Sequence, residues 1–152
     1  MRHTSIIILL LTISLTSLHA DESAKSSKIK AIVYLKGNRL DVEIADTPEK
    51  RKKGLMGRRL LGKNEGMLFA YDDSSIRHFW MKNTVIHLDI AFMDRHMVIG
   101  SVVSTGALND SATVYSSSAP ARYVLEVNRG WLERNGIAPG DTMRWAKTGC
   151  EP

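Results

Sequence analysis

The chain has 152 residues, a net charge of +5 and a single cysteine, Cys150. One thiol excludes an intramolecular disulfide, so packing must hold the fold, and the length suits one domain with its own core. After the first twenty residues no segment approaches the roughly 20 apolar residues that a membrane-spanning helix needs.

"MRHTSIIILLLTISLTSLHA", residues 1–20, places Arg2 and His3 ahead of an apolar run from Ile6 to Leu15 and ends on Ala20. This pattern predicts a secretory signal peptide cleaved after Ala20, and so an exported protein, periplasmic or extracellular. An N-terminal membrane anchor is the alternative reading. No cysteine follows the cleavage point, so no lipoprotein signal is read. "DESAKSSK", residues 21–28, is a polar lead-in, and residues 29–152 are expected to form a single β-rich domain.

"IKAIVYL" is rich in β-branched and aromatic residues and predicts a strand. After the turn "KGN", "RLDVEIA" alternates apolar and polar residues, so the two form a hairpin. In "DTPEKRKKG", Asp46 or Thr47 can cap a helix from Pro48 to Lys53, and Gly54 can end it. The same stretch, continued to Lys63, holds most of the positive excess. It could contact an anionic partner or be no more than a solvated helix face and basic loop. Nucleic acid is not an expected partner, because export removes the protein from it.

"GMLFAY", "IRHFWMK", "IHLDIAFM" and "MVIGSVVS" are read as four strands in close order, an antiparallel meander. Residues 105–120 read as a long polar loop and "ARYVLEV" as a strand. "NRGWLERNG" offers Asn128 as the cap of a short helix that stops at Gly136, and "TMRWAK" closes the chain as a strand. About eight strands and two short helices predict a mainly β fold, a compact antiparallel sandwich or small barrel.

Six motifs taken together resemble domain-of-unknown-function family 192: "GLMGR" (Gly54 to Arg58), "GMLF" (Gly66 to Phe69), "FWMKNT" (Phe79 to Thr84), "LDIAF" (Leu88 to Phe92), "VLEV" (Val124 to Val127) and "GD" (Gly140-Asp141). The resemblance spans about residues 30 to 145. It implies a jelly-roll-like sandwich and no established activity. His87 stands where the family usually has proline, and His96 where it often has a small residue.

The site reading rests on alternation. Phe79 and Met81, then Leu88, Ile90 and Phe92, are expected in the core. Trp80, Lys82, His87 and Asp89 fall on the opposite faces of two neighbouring strands. Arg58, Trp80, Lys82, Asn83 and Asp89 are therefore the candidate ligand-binding residues, with Lys82 and Asp89 close enough for a cross-strand ion pair. Asn83 and Thr84 are read as turn residues whose side chains bond the backbone.

His78, His87 and His96 recur every nine residues, but on a meander they alternate between sheet ends and cannot converge on a metal. The methionines are read as core filler. No nucleophile elbow or phosphate loop is present. The leading expectation is an exported, non-catalytic accessory or binding domain of the cell envelope, with an unidentified small ligand or envelope component as partner and no cofactor. The alternative is a hydrolase using carboxylates such as Asp89, Glu126 or Asp141.

Overall fold

The structure, a computed structural model, describes residues 31–148. The expected signal peptide, the lead-in and Cys150 lie outside the described residues.

Strands β1 (Ala31–Leu35) and β2 (Asn38–Ala45) form the expected antiparallel hairpin, turning at Lys36 and Gly37, both with positive φ. Helix α1 (Pro48–Lys53) has the expected bounds. Thr47 is its cap, accepting from the Lys50 N–H at 3.3 Å, while Asp46 pairs with the Lys50 ammonium at 2.6 Å. Gly54, with φ 45°, ends the helix. Strand β3 (Glu65–Ser75) then lies parallel to β2, which requires the chain to cross over between them, and α1 lies in that crossover.

The meander expected from this point does not form. "IRHFWMK" supplies only β4 (His78–Phe79), which pairs outside the main sheet with β7 (Tyr115–Ser116). The chain leaves extended geometry at Trp80, and Thr84 N–H bonds back to the Met81 carbonyl. Strands β5 (Leu88–Met93) and β6 (Ile99–Ser104) do form a hairpin, and β8 (Ala121–Asn128) inserts between β5 and β3. Helix α2 (Trp131–Arg134) and β9 (Met143–Lys147) complete the described chain. The cap expected at Asn128 falls instead at Gly130, directly before the helix, while the Asn128 amide donates to the carbonyls of Leu61 and Gly62.

The fold is thus mainly β with two short helices. Its seven-stranded sheet runs β6-β5-β8-β3-β2-β1-β9, antiparallel except at β2–β3. It does not close into a barrel. Its two edges are tied at one end by a bridge between Val98 and Thr142, flanked by bonds from Ile99 N–H to the Asp141 carbonyl and from Met143 N–H to the Met97 carbonyl.

Each face of the sheet carries its own core. All seven strands contribute to the first, which α2 covers with Trp131 and Leu132. The second lies on the other face of β3, β5 and β8, where Met67, Phe69, Leu88, Ile90, Phe92 and Val124 pack under Leu55, Leu61 and Met81. Every residue of β5 is buried. A strand covered on both faces is apolar on both, which is why "LDIAFM" reads as a nearly unbroken apolar run.

Candidate functional site

The second face holds one residue out of keeping with its surroundings. Glu126 on β8 pairs with Met67 on one side and Ile90 on the other, so all three side chains share that face. It is 5% exposed. Among the described residues no side chain or backbone N–H is bonded to its carboxyl. Nor is any polar side-chain atom sealed from solvent without a partner, so the Glu126 oxygens open onto an adjoining cavity of about 300 Å³.

That cavity lies between the end of α1 with the turn after it and the segment from His78 to Thr84. Its walls are aromatic: Phe69 and Tyr71 from β3, Phe79 from β4 and Trp80 just beyond it. Phe79 meets Phe69 and Phe92 edge-to-face, with centroids 5.0 and 5.8 Å apart, a geometry that fixes its ring. Arg51, Lys52 and Lys53 of α1 line it too. The Arg51 guanidinium is held by the Ala70 carbonyl at 2.9 Å and lies 4.8 Å from the Tyr71 ring centre. Arg77 stacks on the same ring at 3.7 Å.

Burial pushes the Glu126 carboxyl up to about 8. With no donor to stabilise its charged form, the low-polarity surroundings favour the neutral acid. Burial also raises the Tyr71 phenol, opposed by Arg77 and Arg51 and reinforced by Glu126.

The candidate residues named from the sequence separate. Trp80 is 48% exposed and lines the cavity. Lys82 is exposed, with its ammonium 5.5 Å from the Trp80 ring centre. Asn83 holds a positive-φ turn, receiving the Gly57 N–H on its carbonyl and giving its own N–H to the Asn109 side chain. The Thr84 hydroxyl donates to the Lys82 carbonyl. Arg58 bonds Glu43 at 2.5 Å in a neighbouring cavity that shares Lys53, Gly54 and Met56 with this one.

Asp89 corrects the expected pairing with Lys82. It is 3% exposed and accepts from the Ser104 hydroxyl and the Gly130 N–H, both at 2.7 Å. Its register partner is Val127, so it points to the face opposite Glu126. The mistake came from extending a strand through Trp80 to Lys82, which set that lysine opposite Asp89. Asp141 is engaged elsewhere, where the Ala138 N–H and then Lys36 hold its carboxyl below the ordinary range. Of the three carboxylates only Glu126 lines the cavity, so no acid pair forms across it. Among the described residues no three His, Cys, Asp or Glu side chains are grouped to hold a metal.

The alternation of "VLEV" marks a strand and not a cavity, and Glu126 enters there only as one of the carboxylates of the hydrolase alternative. The available signal was Glu126 itself, a carboxylate in an otherwise apolar run buried on both faces. Arg51, Phe69 and Tyr71 carried no comparable mark.

No curated protein matches the chain. Among the solved structures that resemble the chain are two. One is a candidate transcription regulator from Sinorhizobium meliloti 1021, at 32% identity and a TM-score of 0.69, covering 80% of this chain and 95% of its own. The other is a protein of unknown function from Novosphingobium aromaticivorans DSM 12444, at 36% identity and a TM-score of 0.69, covering 76% of this chain and 84% of its own. The family profile described as "Uncharacterized ACR" matches residues 31–145, and the chain belongs to that family, domain-of-unknown-function family 192.

Proposed function

We propose that the protein is an exported, non-catalytic domain of the cell envelope that binds a small ligand in the cavity above Glu126. The observation that carries this reading is a nearly buried carboxyl with no donor, opening onto an aromatic-walled space. A strand position between Met67 and Ile90 would be more stable with an apolar side chain, and a ligand supplies the partner that the fold withholds. A cavity of this size lies at the small end of ligand sites. Trp80 serves as the exposed rim, while Lys82, Asn83 and Arg58 shape the segments around it. The reading is non-catalytic because one carboxyl stands alone: Asp89 and Asp141 are committed to backbone N–H groups elsewhere.

A thermal-shift screen of small metabolites on the purified protein tests this, since a ligand of the folded state raises its stability by mass action. Hits are expected to disappear in Trp80→Ala and Glu126→Gln. A hit that raises both variants as much as the parent would place binding elsewhere, and an empty screen would remove the reading. Export is tested separately: the protein expressed with its own leader is expected to begin near Asp21. Intact Met1 on a membrane-bound species would reverse that part.

A further inference from the structure

We infer that the cavity takes a small zwitterion, its ammonium group set against Glu126 among the aromatic rings and its anionic group at the mouth beside Arg51 and Lys53. This deepens the ligand-binding reading and rests on it.

The two ends of the cavity ask for opposite charges. At the Glu126 end, no described group donates to the carboxyl. The Thr84 hydroxyl is turned to the Lys82 carbonyl, and the aromatic lining is Phe69, Tyr71, Phe79 and Trp80. Ring faces attract a cation, more so once water is displaced. An ammonium group brings both the missing hydrogen bonds and the charge that a carboxylate needs. At the α1 end the lining is cationic, with Arg51, Lys52 and Lys53, and among the described residues Glu126 is the only carboxylic acid on the cavity wall. Arg51 gives one N–H to Ala70 and carries five donors in all. A simple amine would meet these cations unbalanced, and a simple anion would find no charge partner at Glu126. A zwitterion satisfies both ends, and the volume fits one of amino-acid size.

With its carboxyl pushed up to about 8, Glu126 is a neutral acid at neutral pH. A bound ammonium lowers the carboxyl's affinity for its proton, so binding below about pH 8 releases one proton from Glu126 to solvent. The titratable and charged groups facing the site are Tyr71, His78, Arg51, Lys52 and Lys53, with Arg77 behind the Tyr71 ring.

The test is calorimetric titration with three probes of matched length, 5-aminopentanoate, pentylamine and pentanoate, in buffers of differing ionisation enthalpy. The aminopentanoate is expected to bind about tenfold or more tighter than either single-charge probe, a difference of about 1.4 kcal/mol. It should release about one proton at about pH 6.5 and none at about pH 9.5, where Glu126 is already ionised. Glu126→Gln should abolish the release. His78→Gln should retain it, which separates the carboxyl from the imidazole. Arg51→Gln should bring aminopentanoate down to the level of pentylamine. Pentanoate binding as tightly as aminopentanoate without proton release would overturn the inference and leave the ligand-binding reading standing. Failure of all three probes would also overturn it, and the metabolite screen would then decide the broader reading alone.

Discussion

Glu126 ties the proposed chemistry to a measurable cost. Its carboxyl is pushed up to about 8 in the folded protein, against 4.5 for the ordinary side chain. Between those values the unfolded chain releases the proton and the folded one keeps it. Fewer protons are then bound unfolded than folded, so stability falls as pH rises, by about 1 kcal/mol per unit, and levels off above about 8. Urea unfolding at a series of pH values should show that slope in the parent and not in Glu126→Gln. Parallel profiles would mean that Glu126 does not hold its proton. The same measurement separates three neighbours. Phe92→Ala, at a core position 2% exposed, should cost about 3–5 kcal/mol. Lys82→Ala should cost less than about 1 kcal/mol, since the side chain is exposed and only flanks a ring. Asp89→Ala should cost about 1–3 kcal/mol by leaving the Gly130 N–H and the Ser104 hydroxyl without their acceptor. If Asp89→Ala left stability unchanged, Asp89 would be available for another role.

At the scale of elements, strands were easy to see and their partners were not. β-branched runs and flanking turn residues marked β1, β2, β5, β6, β8 and β9, and Thr47-Pro48 with Gly54 marked α1, because these signals are local. Nothing in the alternation of "GMLFAY" says that β3 lies parallel to β2 or that β8, some fifty residues later, lies on its other side. Alternation also failed where a strand is buried twice: Asp89 and Glu126 sit on opposite faces, yet neither face is solvated. The Gly66 that opens "GMLF" illustrates what pairing demands. A Cβ there would stand 2.6 Å from the Glu126 carbonyl and 3.2 Å from a Val127 methyl. Only glycine lets β3 approach β8 at this register. Gly66→Ala should therefore cost about 1–3 kcal/mol and disturb the strand that carries Glu126. Chemical denaturation measures the first effect. The Trp80 fluorescence environment reports the second in a variant whose other tryptophans, Trp131 and Trp145, are replaced. A Gly66→Ala variant as stable as the parent would show that the strands can separate without penalty.

At the scale of the molecule, one sheet serves two cores, and the cavity belongs to the second. Besides Phe69, Tyr71 and Glu126 of the sheet itself, its walls come from the crossover after β2 and the excursion after β3, segments that the parallel pairing and the insertion of β8 leave outside the sheet. The expected mainly β fold with two short helices holds, and a sandwich-like arrangement fits it, while no barrel closes. The open sheet, tied at one end only, depends on contacts between Val98 and Thr142 across more than forty residues, which local patterns do not encode.

That partial tie bears on solubility. Beyond Met143, strand β9 continues as Arg144 to Lys147 with β1 on one side and, among the described residues, no strand on the other. A free row of backbone donors and acceptors invites a second chain to add to the sheet. Arg144 and Lys147 are both exposed there, and an approaching copy would bring the same positive charges to meet them. Replacing them together, Arg144→Thr with Lys147→Val, should leave the monomer folded yet make it associate as concentration rises, seen as growing light scattering. Scattering unchanged from the parent would mean that the open edge is guarded by something other than these two charges.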